Sequence, residues 1–162
     1  MKNLNAYISE GMHFKLTRDY KKPYNYYPQN IQELEKLIKE LIEKRGYEAD
    51  LNDIDTSEIT DMAYLFRESK FNGDISNWNV SNVKTMEGMF VGSYFDGDLS
   101  KWDVSNVENM AWMFKFSNFT GKNGDISNWN ISNVKNMKSI FKMCLILNYK
   151  MPKWYVNLQF KK

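Results

Sequence analysis

Side chains able to do covalent or acid–base chemistry are scarce in this 162-residue chain, which holds one histidine, His13, and one cysteine, Cys144. General-base catalysis needs a titratable group poised beside its proton donor, and nucleophilic catalysis needs a thiol or hydroxyl activated by a neighbouring base. His13 stands alone in the N-terminal segment, where a surface or packing role is expected of it. Cys144 falls where Ser69, Ser93 and Ser117 fall in related stretches, which marks a small structural residue rather than a nucleophile. One Cys and one His cannot build a zinc site of the Cys/His type. The recurring Asp74, Asp98 and Asp125 could stack into a row of carboxylates. Ca²⁺, however, takes about six to eight oxygen ligands, and an Asp after Gly ordinarily accepts backbone N–H bonds in its own turn. No catalytic residue, metal or cofactor is expected, and the chain reads as a non-enzymatic binding protein.

Candidate binding residues come from comparing related stretches of the chain. Tyr64 and Trp112 stand where Gly88 and Ser139 stand, so two copies carry a large aromatic where two others carry almost nothing. Such aromatics are enriched in interface hot spots, although each could instead pack on a neighbouring helix. Lys84, Glu108 and Lys135 form a second varying row, and Thr120, Lys122 and Asn123 lie in an insertion of loop character. Aromatics interleaved with positive charge occur at both ends: Lys21, Lys22 and Tyr24 near the N-terminus, and Lys150, Lys153 and Tyr155 near the C-terminus. Those residues could stack against and neutralise a single-stranded nucleic acid, whereas the mildly acidic middle would repel a long phosphate backbone.

These groups are carried by an internal repeat. The segment from Asp74 to Phe90 returns from Asp98 to Phe114 and from Asp125 to Phe141, and Asp50 to Phe66 fits the same register. All four copies share the leading Asp, a Leu or Ile after it, and then Ser, Met and Phe at fixed positions. Trp78, Trp102 and Trp129 match one another, with Ile54 in their place in the first copy. Within the second copy Ile75, Trp78 and Val80 suggest a brief strand, and Val83, Met86, Met89 and Phe90 suggest one face of a short helix capped by Ser81 or Asn82. Gly73, Gly97 and Gly121 would supply positive φ for the reversal that follows. A unit this small buries its faces only by stacking on its neighbours.

Both ends read as caps. Over residues 31–45 a single apolar stripe, a capping box from Asn30 to Glu33 and a closing Gly46 predict a helix that stands in for a preceding repeat, with Tyr47 at the position of Phe71. At the far end Trp154, Val156, Leu158 and Phe160 alternate with polar residues and predict a closing strand, with Lys161 and Lys162 discouraging edge-to-edge association.

The repeated phrase, read in the second copy as Gly73-Asp-Ile-Ser-Asn-Trp-Asn-Val-Ser-Asn-Val83 and then Met86 and Met89-Phe90, resembles the BspA-like leucine-rich repeats of bacterial surface proteins and mycoplasma lipoproteins over about residues 50–143. The resemblance implies a short right-handed leucine-rich-repeat-like solenoid that binds proteins, often as an adhesin. The expected architecture is an α/β repeat: four strand-helix repeats over 50–148, a helical cap over 1–49 and a capping strand over 149–162, all one domain.

Net charge is only +2, so no global field recruits nucleic acid or an anionic membrane. A single cysteine excludes an internal disulfide, and with no signal peptide or membrane-spanning run visible a cytoplasmic location is expected, or the cell surface if an export signal was removed. A protein partner is expected, with nucleic acid less favoured or reached through a ribonucleoprotein partner. The leading function is occlusion of such a partner, for instance a bacterial defence nuclease blocked by a phage or mobile-element inhibitor of the anti-CRISPR kind. Adhesion to a host or partner surface and binding of single-stranded nucleic acid are the alternatives.

Overall fold

A computed structural model describes residues 24–146 and 150–159. Helix α1 spans Ile31–Arg45. Its first turn is closed by the Asn30 side chain, which accepts from the Glu33 amide at 2.9 Å, while the Gln29 amide donates to the Glu33 carboxylate. Gly46, at φ 89°, returns its N–H to the Ile42 carbonyl. Leu34, Leu37, Ile38 and Leu41 bury the apolar stripe against the first repeat. Beyond the helix, Asn72 and Asp74 donate to the Tyr47 and Ala49 carbonyls, so this backbone does run in the register of a preceding repeat. The Tyr47 ring nevertheless stays 51% exposed instead of joining the buried Phe71 column.

Arg45 locks α1 to the first repeat. Its guanidinium donates to both Asp53 carboxylate oxygens at 2.9 Å and to the Asp50 carbonyl, and lies over the Tyr26 ring. Partial burial opposes the charge on Asp53, but hydrogen bonds from Arg45 and Asn25 outweigh it and hold the carboxyl below its ordinary value. A carboxyl with a lowered folded pKa contributes its stability above the unfolded value of about 4, and loses it as pH falls through the folded value. Asp53→Asn is therefore expected to cost about 1 kcal/mol at pH 7, the modest size reflecting partial solvent exposure. Thermal melts of the two proteins should draw together as pH falls below about 4, and an undiminished gap through that fall would contradict this account.

The repeats are built from turns, which overturns the expected α/β solenoid of four strand-helix repeats. Among the described residues the regular elements are α1, a 3₁₀ turn at Ile126–Asn128 and a second helix, α2, at Lys153–Gln159. Among the described residues no strand or sheet forms, and the parallel bridges Asp61–Thr85, Thr85–Asn109 and Asn109–Asn136 are isolated. The apolar spacing read as a helix belongs instead to consecutive reverse turns. Met89, Val91 and Ser93 donate to carbonyls three residues back, at Met86, Gly88 and Phe90. An α-helix would send those amides four residues back and keep φ negative throughout. Here Gly88 and Gly92 sit at φ 58° and 64°, and the alternate amides of Met86, Gly88, Phe90 and Gly92 cross to the next repeat. Three-residue return is common to both structures, so periodicity alone could not separate them.

Each repeat turns at polar corners whose side chains cap their own backbone. Asp50, Asp74, Asp98 and Asp125 accept from the amide two residues on, at 2.8 Å each, the turn role expected of them. Asp55, Asn79, Asp103 and Asn130 do the same at the next corner. Copies are tied together by Trp78, Trp102 and Trp129, whose indole N–H groups donate to the carbonyls of Leu51, Ile75 and Leu99. Asn82, Asn106 and Asn133 donate likewise to Ser57, Ser81 and Ser105. Inside, Phe66, Phe90, Phe114 and Phe141 stack with centroids 5.5–5.6 Å apart.

One corner is imperfect. Ser69 and Ser117 accept from the amides of Phe71 and Phe119, whereas the hydroxyl of Ser93 is buried without a partner. Removing an unpaired buried hydroxyl recovers its desolvation cost, so Ser93→Ala should stabilise the protein by about 1 kcal/mol, or about 3 °C in Tm. A fall in Tm would mean that this oxygen is bonded in solution.

Two of the three glycines expected to turn with positive φ do not. Neither Gly73 nor Gly97 has positive φ, and Gly121 alone of the three does. Gly73 is required because a Cβ there would lie 2.0 Å from the Ala49 carbonyl oxygen. The expected C-terminal strand does not form, since residues 153–159 are the helix α2, and Phe160, Lys161 and Lys162 lie outside the described residues. The Pro152 carbonyl accepts the first amides of α2, from Tyr155 and Val156, and the helix lets Trp154 donate to the Ile126 carbonyl as a further member of the tryptophan series. A strand alternation that included Trp154 was therefore a coincidence of spacing.

Candidate binding surface

The variable column of Tyr64, Gly88, Trp112 and Ser139 lies at left-handed backbone, with φ from 54° to 59°. A second such column contains Glu68, Gly92, Phe116 and Met143, with φ from 54° to 64°. A non-glycine residue in this region costs about 1 kcal/mol, and the geometry turns its side chain away from the packed Phe column. The two columns thus form an outward face made by tertiary hydrogen bonds rather than by a helix.

Tyr64 and Trp112 use this face differently. Tyr64 lies flat over Gly88, where a Cβ would come within 2.3 Å of its ring, and its hydroxyl donates to Glu87 at 2.6 Å. The Arg67 guanidinium lies over the same ring, 5.9 Å from its centroid. That hydrogen bond to Glu87 is the leading reason why the Tyr64 hydroxyl titrates above its usual value. Trp112 is half-buried and shares one ammonium, Lys115, with Phe116. Phe116 is 48% exposed, Met143 68% and Leu145 56%, and Tyr94 is open as well. Phe116 and Met143 are neighbours, because the Phe116 amide donates to the carbonyl of Lys142. Sequence comparison missed Phe116, Met143 and Leu145 because their columns also hold Glu68, Gly92 and Lys70 and carry no common chemical type. The usable signal was Gly92, which marks a left-handed position.

Lys84, Glu108 and Lys135 are brought together, with Asn106 and Asn133, around a shallow depression of about 250 Å³. Lys135 pairs with Glu108 at 2.6 Å and holds that carboxyl below its ordinary value, leaving Lys84 on the same rim. The insertion is laced down rather than free. Thr120 donates through its amide and hydroxyl to Asp96, Lys122 lies 3.6 Å from the same carboxylate, and Asn123 donates to the Asp96 carbonyl.

The basic aromatic ends are not brought together among the described residues. Tyr24 accepts from the Tyr27 hydroxyl beside the first repeat, and Lys21 and Lys22 lie outside the described residues, as does His13. Lys150 and Lys153 sit near Asp125 in the fourth repeat, and Tyr155 packs edge-on against Phe141 and Trp154. Burial raises the Cys144 thiol above its ordinary value, and its sulfur donates to the Phe119 carbonyl. Among the described residues no three His, Cys, Asp or Glu side chains converge as metal ligands. Likewise, no helix there is long and apolar enough to cross a membrane.

A family model described as Mycoplasma protein of unknown function, DUF285, matches residues 32–154, from the start of α1 to Trp154. No curated protein and no solved structure gives a match.

Proposed function

We propose, from the premise that the chain belongs to the DUF285 family of Mycoplasma proteins of unknown function, that it is a non-enzymatic module that binds a partner protein. The observation that carries this is the outward face of Trp112, Phe116, Met143 and Leu145, on which the Trp112, Phe116 and Leu145 amides are each hydrogen-bonded to a neighbouring repeat. A rigid aromatic anchor loses little entropy on binding, and adjacent exposed apolar side chains mark interaction surfaces. Lys115 and Lys142 border the patch and suit a partner with acidic groups around an apolar centre. Occlusion of a larger partner, such as a bacterial defence nuclease, is the mode of action this platform serves, and adhesion to a surface protein would use the same face.

The double variant Trp112→Ala/Phe116→Ala tests this. Partners crosslinked to the chain in extracts of its source cell should fall at least about tenfold with the variant, the loss expected for hot-spot aromatics. Circular dichroism should show the fold retained. Undiminished capture would remove this face as the binding site.

A further inference from the structure

Hydrogen bonds pass along the stack with one direction through the turn-built stretch. Amides of Met62, Tyr64, Phe66 and Glu68 donate to carbonyls of Thr85, Glu87, Met89 and Val91 in the next repeat. The pattern recurs from Met86, Gly88, Phe90 and Gly92 to the third repeat, and from Met110, Trp112, Phe114 and Phe116 to the fourth, all at 2.7–3.0 Å. In the fourth repeat the corresponding amides of Met137, Ser139, Phe141 and Met143 have no acceptor among the described residues. The Lys135 and Cys144 carbonyls, whose counterparts accept from the following repeat, flank this row and have no donor among the described residues.

This edge is unlike an ordinary strand edge, where donors and acceptors alternate. Carbonyls of Met137, Ser139 and Phe141 are already used in turns by Ile140, Lys142 and Cys144, so the centre of the edge offers donors only. Two such edges facing each other would set N–H against N–H. The corresponding acceptor edge of the first repeat follows α1, whose buried leucines belong to the same core as Met62 and Phe66.

Charge follows the same axis. Net charge is −4 over residues 50–73, −2 over 74–97, zero over 98–124 and +2 over 125–148, with Lys150 and Lys153 following. A row of amide N–H groups carries partial positive charge and is stabilised by carboxylates, as at a helix N-terminus. The chain places Lys138 and Lys142 there instead, both exposed. Lysines that reinforce the amide row rather than offset it project a positive field outward.

We propose that the edge at residues 135–144 docks an extended acidic peptide segment of a partner protein, added to the stack as one more rung. This rests on the binding function above and gives it a ligand class. The three filled rungs show that a peptide backbone fits the row, its carbonyls meeting alternate amides. A nucleic acid is less well served, since Trp154 and Tyr155 at this end are packed against Phe141 and leave the lysines without a stacking platform.

A synthetic peptide with the sequence of residues 58–69, an acidic segment with the register of a rung, serves as the probe for titration into the isotope-labelled full chain. Saturable shifts of the Met137, Ser139, Phe141 and Met143 amides are expected. Affinity should fall at least about tenfold in Lys138→Glu/Lys142→Glu, and should weaken as salt rises from about 50 to about 300 mM. It should stay within about twofold in Lys39→Ala, an exposed position on α1. The inference is overturned if the shifts map elsewhere or are absent at millimolar peptide. It is equally overturned if oligodeoxythymidine moves the same amides at lower concentration than the peptide does. Protection of these amides that grows with protein concentration would assign the edge to a second copy and also overturn it. Failure here alongside loss of partner capture in Trp112→Ala/Phe116→Ala would leave the binding function standing and remove only this site.

Discussion

Phe114→Ala is expected to destabilise the protein by roughly 3–5 kcal/mol, whereas Phe116→Ala, two residues on, should cost less than about 0.5 kcal/mol. Phe114 is fully buried and stacks on Phe90 and Phe141 at 5.5 Å and on Phe119 at 4.3 Å. Truncating it removes one ring's burial and leaves a void that three neighbouring rings close only in part, because each is held by its own repeat. Phe116 is the same residue type at 48% exposure, turned outward by a φ of 58°. Urea unfolding of both variants reads the contrast directly. Comparable losses would mean that the outward face is part of the core.

Gly73→Ala should be nearly as damaging, at about 3 kcal/mol or more, while Gly46→Ala should cost about 1 kcal/mol. A Cβ on Gly73 meets the Ala49 carbonyl oxygen at 2.0 Å and the Phe71 ring at 2.7 Å. That oxygen accepts the Asp74 amide and cannot rotate away, so relief requires the first repeat to shift from the segment after α1. Gly46 has nothing within 4 Å of its would-be Cβ and bears only the cost of its φ of 89°. Thermal melts would rank them, and a larger effect at Gly46 would show that left-handed conformation outweighs close approach.

The pair bears on how the repeat was read. Gly73 and Gly97 before their Asp suggest positive φ, yet the left-handed positions fall at Gly46, Gly88, Gly92 and Gly121 and at six non-glycine residues, Tyr64, Trp112, Ser139, Glu68, Phe116 and Met143. Non-glycine side chains at those sites gave no local signal of strain. The candidate site was legible only in part for the same reason. Tyr64 and Trp112 stood out by disagreement between copies, but nothing local told that Tyr64 lies down on Gly88 while Trp112 shares Lys115 with Phe116.

What the sequence by itself determined is local or periodic: α1 with its Asn30 cap and Gly46 end, the turn role of the repeated Asp, and the register that puts like residues in columns. These follow from contacts within a few residues or from identity between copies. What only the tertiary structure decided is the destination of the backbone amides. Reverse turns and a helix both return a side chain every three residues, and the choice between them was made by carbonyls 23 or more positions away in the next repeat. That choice removed the strands and helices expected within the repeats, and it left the fourth repeat with a row of amide donors that meet no acceptor among the described residues.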